Sequence, residues 1–123
     1  MLNGRTALVV EEQFLIALDI QRMLENLDVG QTLFARSAAE AAELEAHWPE
    51  VSIAVVEIGD DTGGTLRLIE ALDHAGIPSV LVTADLTLAH ARIEQPHRPV
   101  IVKPVAETMM AKAVARALAG RSE

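Results

Sequence analysis

Short apolar runs alternate along the chain with longer stretches whose apolar residues recur at helical spacing. Five of the short runs are predicted strands, at residues 6–10, 32–35, 51–58, 79–83 and 100–103. These runs are apolar on both faces, which is typical of strands buried between two layers of helices. A helical segment follows each one, so the pattern predicts five βα units with right-handed crossovers. We therefore expect an α/β fold, a doubly wound sandwich around a five-stranded parallel sheet.

Several of the predicted helices carry start and stop signals. The first ends just before Gly30. Ser37 and Glu40 match a capping box that opens an alanine-rich second helix, expected to end near His47 because Pro49 cannot continue it. Glycines and aspartates mark residues 59–64 as a loop before a third helix. The segment 85–94 has a weak helical pattern, and a last helix precedes Gly120.

Composition narrows the classes of function. The 123 residues suffice for one domain with a single core, so residues 1–123 are expected to form one domain without an output domain. A net charge of −8, with no cluster of basic residues, argues against a nucleic acid partner. The absence of cysteine excludes thiol chemistry. No apolar stretch approaches the ~18 residues of a membrane span and no signal peptide precedes the first strand, so we expect a cytoplasmic protein without a membrane partner.

Polar side chains stand where four of the predicted strands end. Glu11 and Glu12 follow the first strand, Glu57 lies near the end of the third, Thr83 ends the fourth and Lys103 ends the fifth. The carboxyl ends of parallel strands share one edge of the sheet, where such proteins bind ligands. Three carboxylates, a hydroxyl and a lysine suit a divalent cation and a phosphoryl group. Because glutamates have long, flexible stems, Glu11, Glu12 and Glu57 predict only a weak Mg²⁺ site.

These residues, in this order, resemble the receiver domain of bacterial two-component response regulators, over about residues 5–119. The resemblance implies a flavodoxin-like (βα)5 three-layer sandwich with strand order 2-1-3-4-5. It also implies that Glu11 and Glu12 match the acidic segment that binds magnesium in the family. Thr83 and Lys103 fall where the family has the hydroxyl and the lysine that contact the phosphoryl group. Pro104 matches a proline that often follows a cis bond.

One residue departs sharply from the family pattern. Glu57 stands where the family has its phosphoacceptor aspartate. Its carboxylate lies one carbon–carbon bond farther from the backbone, ~1.5 Å, and a misplacement of that order can slow a reaction ~100-fold or more. We therefore expect no phosphorylation. Glu57 then either imitates a phosphoryl charge near Lys103 or is a relic paired with that lysine, and the sequence leaves both open. Ile101 also replaces the family's switch aromatic.

The resemblance implies an atypical stand-alone receiver that is not an enzyme and acts in two-component signal transduction through protein–protein contact. Its partner would be a histidine kinase or another signalling protein. In the family, the fourth helix, fifth strand and last helix form a face for dimers or partners, here near residues 86–94 and 106–118.

Two alternatives stay open. One is a conventional phosphorelay receiver in which Glu57 or Asp60 accepts phosphate from a histidine kinase. The other is a small Mg²⁺-dependent phosphohydrolase. That class would be expected to carry an aspartate nucleophile and a second acid two residues later, whereas this chain has Glu11, Glu12 and Gln13 after its first strand.

Overall fold

Five parallel strands form one sheet in the computed structural model, which describes residues 1–85 and 98–121. The strands are β1 (Thr6–Val10), β2 (Gln31–Ala35), β3 (Val51–Glu57), β4 (Ser79–Thr83) and β5 (Val100–Val102). They lie in the order β2-β1-β3-β4-β5, and every neighbouring pair is parallel. The predicted doubly wound, flavodoxin-like sandwich and its strand order are thereby confirmed.

Helices cover both faces of this sheet. The described helices are α1 (Phe14–Glu25), α2 (Ala38–Glu43), α3 (Thr62–His74) and α4 (Glu107–Arg121), and a 3-10 helix (Glu45–Glu50) connects α2 to β3. The helix expected at 85–94 falls almost wholly on residues outside the described ones. Of the helices described, none is long and apolar enough to cross a membrane.

The core consists of two layers that the central strands separate. On β1, Ala7 and Val9 belong to the layer that contains α1 and α4, whereas Leu8 and Val10 belong to the layer that contains α2 and α3. The edge strand β2 departs from the expected two-sided burial, because Phe34 remains 43% exposed. An edge strand has a neighbour on one side only, so its outer surface is less covered.

The second helix begins as predicted but ends differently. The Ser37 hydroxyl accepts a hydrogen bond from the Glu40 N–H at 3.1 Å, as in a capping box. The Glu40 carboxylate accepts in return from the N–H of Arg36 at 2.9 Å, one residue before the cap. The expected end near His47 is wrong, because α2 stops at Glu43 and a 3-10 helix runs through Pro49. The buried Trp48 anchors this tighter helix, since its indole N–H donates to a carbonyl of α2 at 3.2 Å.

The third helix begins inside the segment expected to be a loop. Asp61 is its N-cap, and Oδ1 of Asp61 accepts a hydrogen bond from the Gly64 N–H at 2.9 Å. A Cβ on Gly64 would lie 2.1 Å from the other oxygen of Asp61, so only glycine permits this close cap. The expectation of loop through Gly64 is therefore wrong, because Gly63 and Gly64 lie in the first turn of α3.

Two residues expected to end strands lie one position beyond them but remain tied to the sheet. Ile58 donates its N–H to the carbonyl of Val82 at 2.8 Å, and Lys103 donates its N–H to the carbonyl of Thr83 at 2.8 Å. The bond from Ile58 fixes the backbone just after Glu57, and the bond from Lys103 holds its own backbone beside β4. The strand ends that carry the polar residues are thus rigidly placed.

Candidate functional site

The structure brings Glu11, Glu57 and Lys103 together at the carboxyl edge of the sheet. Glu11 directly follows β1, Glu57 is the last residue of β3, and Lys103 directly follows β5. The strands end almost level, because Glu57 pairs with Val82 next to the end of β4. The peptide bond between Lys103 and Pro104 is cis, as the resemblance implies.

The Lys103 ammonium lies between two carboxylates. Its Nζ is 2.5 Å from Oε2 of Glu57 and 3.1 Å from Oε1 of Glu11. The side chain of Glu11 is fully buried, and those of Glu57 and Lys103 are only 17% and 16% exposed. The contact with Glu11 has the distance of an ion pair but not the alignment of a hydrogen bond, so Oε1 of Glu11 is buried without a hydrogen-bond partner.

The turn between β1 and α1 engages the other oxygen of each glutamate. Oε2 of Glu11 accepts a hydrogen bond from the N–H of Gln13 at 3.0 Å. Oε1 of Glu57 faces the N–H of Glu12 at 3.4 Å, a long and weak hydrogen bond. Each carboxylate oxygen of Glu57 therefore has a hydrogen-bond donor. One is the Lys103 ammonium, just after β5, and the other is the N–H of Glu12, just before α1.

The two glutamates respond differently to this environment. Burial, opposed only in part by the hydrogen bond from Gln13 and by the contact with Lys103, raises the pKa of Glu11 above its ordinary 4.5. Burial would also raise the pKa of Glu57, but hydrogen bonding to Lys103 and to the side chain of Glu11, together with the charge of Lys103, outweighs it and lowers that pKa. For Lys103, burial would lower the pKa, whereas its contacts with both glutamates raise it above 10.5. At neutral pH the pair of Glu57 and Lys103 is therefore fully charged.

Two of the predicted site residues do not join this ion-pair cluster. Glu12 is exposed and approaches Glu57 with its backbone N–H rather than with its carboxylate. Thr83 is fully buried, and its hydroxyl oxygen accepts a hydrogen bond from the N–H of Asp85 at 3.1 Å. The hydroxyl thus closes the turn after β4, a local role typical of threonine.

The arrangement of the carboxylates does not fit a magnesium ion. Within residues 1–85 and 98–121, no group of three or more Asp, Glu, His or Cys side chains is placed to hold a metal. Glu11 and Glu57 face Lys103, and Glu12 is exposed. Magnesium needs near-octahedral oxygen ligands at about 2.0–2.1 Å. The weak magnesium binding expected of Glu11, Glu12 and Glu57 therefore finds no support in this arrangement.

The space beside the cluster is small. A cleft of about 100 Å³ adjoins Glu57 and is also lined by Arg36, Ser37 and Asp60. A larger cleft of about 300 Å³ lies between α2 and α3, mostly among alanines and apolar side chains, away from Lys103. Pockets for small organic ligands commonly measure about 300–1,000 Å³. Among the described residues, the cleft beside the charged cluster therefore has room for an ion or a small group.

Sequence reasoning missed two features of this region. The cap that Asp61 places on α3 has a local signal, an aspartate three residues before the amide it accepts from, which the adjacent glycines obscured. The contact between Lys103 and Glu11 has no local signal, because these residues come from opposite ends of the chain. At the position of the family's switch aromatic, Ile101 is buried in the core with 2% exposure.

Comparison with known proteins supports the fold. No protein-family model matches this chain, and no curated protein matches it. Among solved structures, it is similar to the BeF3-activated conformation of SdrG from Pseudomonas melonis Fr1, with 27% identity, a TM-score of 0.74, and coverage of 96% of this chain and 99% of that one. A response regulator receiver protein from Sinorhizobium medicae WSM419 gives 21% identity, a TM-score of 0.77, and coverage of 98% and 99%.

The response regulator PhyR from Brucella abortus is also similar, with 23% identity and a TM-score of 0.76 over 97% of this chain and 49% of that one. The chain thus spans about half the length of the PhyR structures it matches. The sheet order, the helical layers and these structures agree, and the chain has the fold of response regulator receiver domains.

Proposed function

We propose that this chain is an atypical receiver domain that acts in two-component signal transduction through contact with another signalling protein, and that it is not phosphorylated at Glu57. The observation that carries the proposal is the ion pair of 2.5 Å between Glu57 and Lys103 at the end of β3. The receiver fold of the similar structures supports the signalling role.

The position and contacts of Glu57 disfavour phosphorylation for three reasons. Phosphoryl transfer depends on positioning an attacking oxygen in line with the phosphorus, and both oxygens of Glu57 already face donors. The side chain also reaches ~1.5 Å beyond an aspartate. Finally, the ammonium that would pair with a transferred phosphoryl group in the family is already bound by two carboxylates.

The same pair gives the site a single charge state at neutral pH. Glu57 holds one negative charge beside Lys103, whereas a phosphate carries about 1.5–2. The domain then acts by binding its partner. Its output depends on how much of the protein is present and not on a phosphorylation cycle. A histidine kinase or another signalling protein is the partner class that the receiver fold supports.

The partner surface draws on the face that receivers use for dimers and partners. Its predicted part at 86–94 lies outside the described residues. The described part includes α4, where Met109 is 46% exposed in the first turn. This exposed methionine suits contact with a partner or with a second copy of the chain.

A phosphodonor tests the proposal directly. After incubation with acetyl phosphate and Mg²⁺, the intact mass of the protein should stay unchanged, whereas a Glu57→Asp variant should gain one phosphoryl group. Aspartate withdraws the carboxylate by one methylene, which loosens its contact with Lys103 and restores the family's acceptor. Adding Lys103→Ala to Glu57→Asp should lower that gain, because the positive partner of the phosphoryl group is lost.

Two outcomes would contradict the proposal. Stoichiometric phosphorylation of the unmodified protein would make it a conventional receiver. Hydrolysis of a phosphate ester by the unmodified protein would favour the phosphohydrolase instead. An inert but folded Glu57→Asp variant would decide between the two readings of Glu57 in favour of the relic, because the site would then have lost more than its acceptor.

A further inference from the structure

A buried carboxylate needs a nearby positive charge, and the carboxyl edge of this sheet holds two carboxylates close together. The side chain of Glu11 is fully buried, and that of Glu57 is 17% exposed. Burial of an ionised carboxylate is costly unless the charge is paired. The charge of Glu57 also raises the pKa of Glu11, because two neighbouring carboxylates repel each other. A cation placed between the two carboxylates therefore stabilises the fold.

Lys103 supplies that cation from within the chain. Its ammonium lies 2.5 Å from Glu57 and 3.1 Å from Glu11, between the ends of three strands. The backbone N–H of Lys103 bonds to the carbonyl of Thr83, and the side chain is 16% exposed. The lysine is thus held in place, and its position between the carboxylates is not that of a freely moving surface side chain.

A divalent cation and this ammonium exclude each other. A Mg²⁺ ion bound by Glu11 and Glu57 would lie within a few ångströms of Nζ, and like charges at such distances repel strongly in a partly buried site. Mg²⁺ is usually bound through one or two carboxylates and keeps several waters, so the number of side-chain ligands does not exclude it here. The obstacle is the Lys103 ammonium, because the metal would compete with it for Glu11 and Glu57.

We infer that the Lys103 ammonium takes the place of a divalent cation at this site, so that the edge is neutralised and assembled without metal. The inference deepens the proposed function and rests on it, because it concerns the same pair of residues. In the family this lysine contacts the phosphoryl group. Here Lys103 instead joins the ends of β1, β3 and β5 through its contacts with Glu11 and Glu57.

The test compares metal dependence with and without the lysine. Thermal unfolding is followed by the fluorescence of Trp48, the only tryptophan in the chain, which is buried. The unmodified protein should show the same Tm in millimolar MgCl₂ as in NaCl of equal ionic strength. Lys103→Met should have a lower Tm that rises specifically with MgCl₂, with Mg²⁺ binding at least about tenfold tighter than in the unmodified protein.

Lys112 provides the matched control. It is the only other lysine in the sequence, and it is exposed on α4. Lys112→Met removes the same charge from the whole molecule, so it should leave the Tm equally insensitive to MgCl₂. Lys103→Gln removes the charge but keeps an N–H donor in the side chain, and it repeats the test if Lys103→Met does not fold.

A Mg²⁺-specific rise in Tm of the unmodified protein would overturn the inference, and this comparison holds even if neither variant folds. A folded Lys103→Met variant without a Mg²⁺ response would also overturn it. Neither result would touch the proposed function, which fails only if the unmodified protein accepts a phosphoryl group or hydrolyses a phosphate ester.

Discussion

At the scale of single residues, one methylene group changes the chemistry of this site. An aspartate at position 57 would hold its carboxylate ~1.5 Å closer to the backbone, whereas Glu57 lies 2.5 Å from Lys103 and also meets the N–H of Glu12. The neighbouring Glu11 is then buried against the same ammonium at 3.1 Å, without an aligned hydrogen bond to its Oε1. The pair of Glu57 and Lys103 stabilises the fold when charged, whereas the burial of Glu11 disfavours its ionised form and raises its pKa.

This difference predicts how stability depends on pH. The raised pKa of Glu11 means that the folded state binds its proton more tightly than the unfolded state, so the free energy of unfolding should rise as pH falls toward 4.5. The lowered pKa of Glu57 acts in the opposite direction. Its contribution is present above pH 4.5 and is lost as pH falls through the folded-state pKa below that value.

A Glu11→Gln variant isolates the first effect. Urea unfolding at a series of pH values, followed by Trp48 fluorescence, should show that the variant lacks the gain in stability just above pH 4.5 but keeps the loss below it. Glu12→Gln, on an exposed neighbour, should keep both. Equal pH profiles for Glu11→Gln and the unmodified protein between neutral pH and 4.5 would show that burial does not raise the pKa of Glu11.

At the scale of elements, short capping contacts decide where the helices begin and how they end. The capping box at Ser37 follows the local sequence pattern closely. The start of α3 does not, because two glycines indicate a loop while Asp61 caps the helix through the N–H of Gly64. The end of α2 depends on the burial of Trp48 against the core. Local helix propensity does not predict this burial, because it depends on the tertiary structure.

Removal of the Asp61 cap should weaken α3 measurably. Asp61→Ala leaves the N–H of Gly64 without its acceptor and should lower the free energy of unfolding by about 1 kcal/mol. Asp60→Ala, one residue earlier and also exposed, should change it by less than about 0.5 kcal/mol. Urea denaturation of both variants measures the difference. Equal effects would mean that the cap contributes nothing specific to α3.

At the scale of the whole molecule, the alternation of apolar runs and helical segments was enough to predict five strands and the layers around them. The strand order came from the resemblance to receivers, because loop lengths alone allow other orders. The same pattern placed Glu11, Glu57 and Lys103 at one edge. It could not show that Glu12 contributes its backbone N–H rather than its carboxylate, or that the Thr83 hydroxyl binds the turn after β4, since both depend on side-chain directions within the folded molecule.

The ammonium of Lys103 links three strands of the sheet, and its pKa in solution depends directly on these contacts. With only two lysines in the chain, the side-chain NMR signals of Lys103 and Lys112 can be assigned by substituting either one. A titration of the Lys103 signal measures its pKa, which the contacts with Glu57 and Glu11 should hold above 10.5. Glu57→Gln should lower that pKa, because the closest carboxylate charge is gone. A pKa at or below 10.5 in the unmodified protein, or one that Glu57→Gln leaves unchanged, would contradict the account.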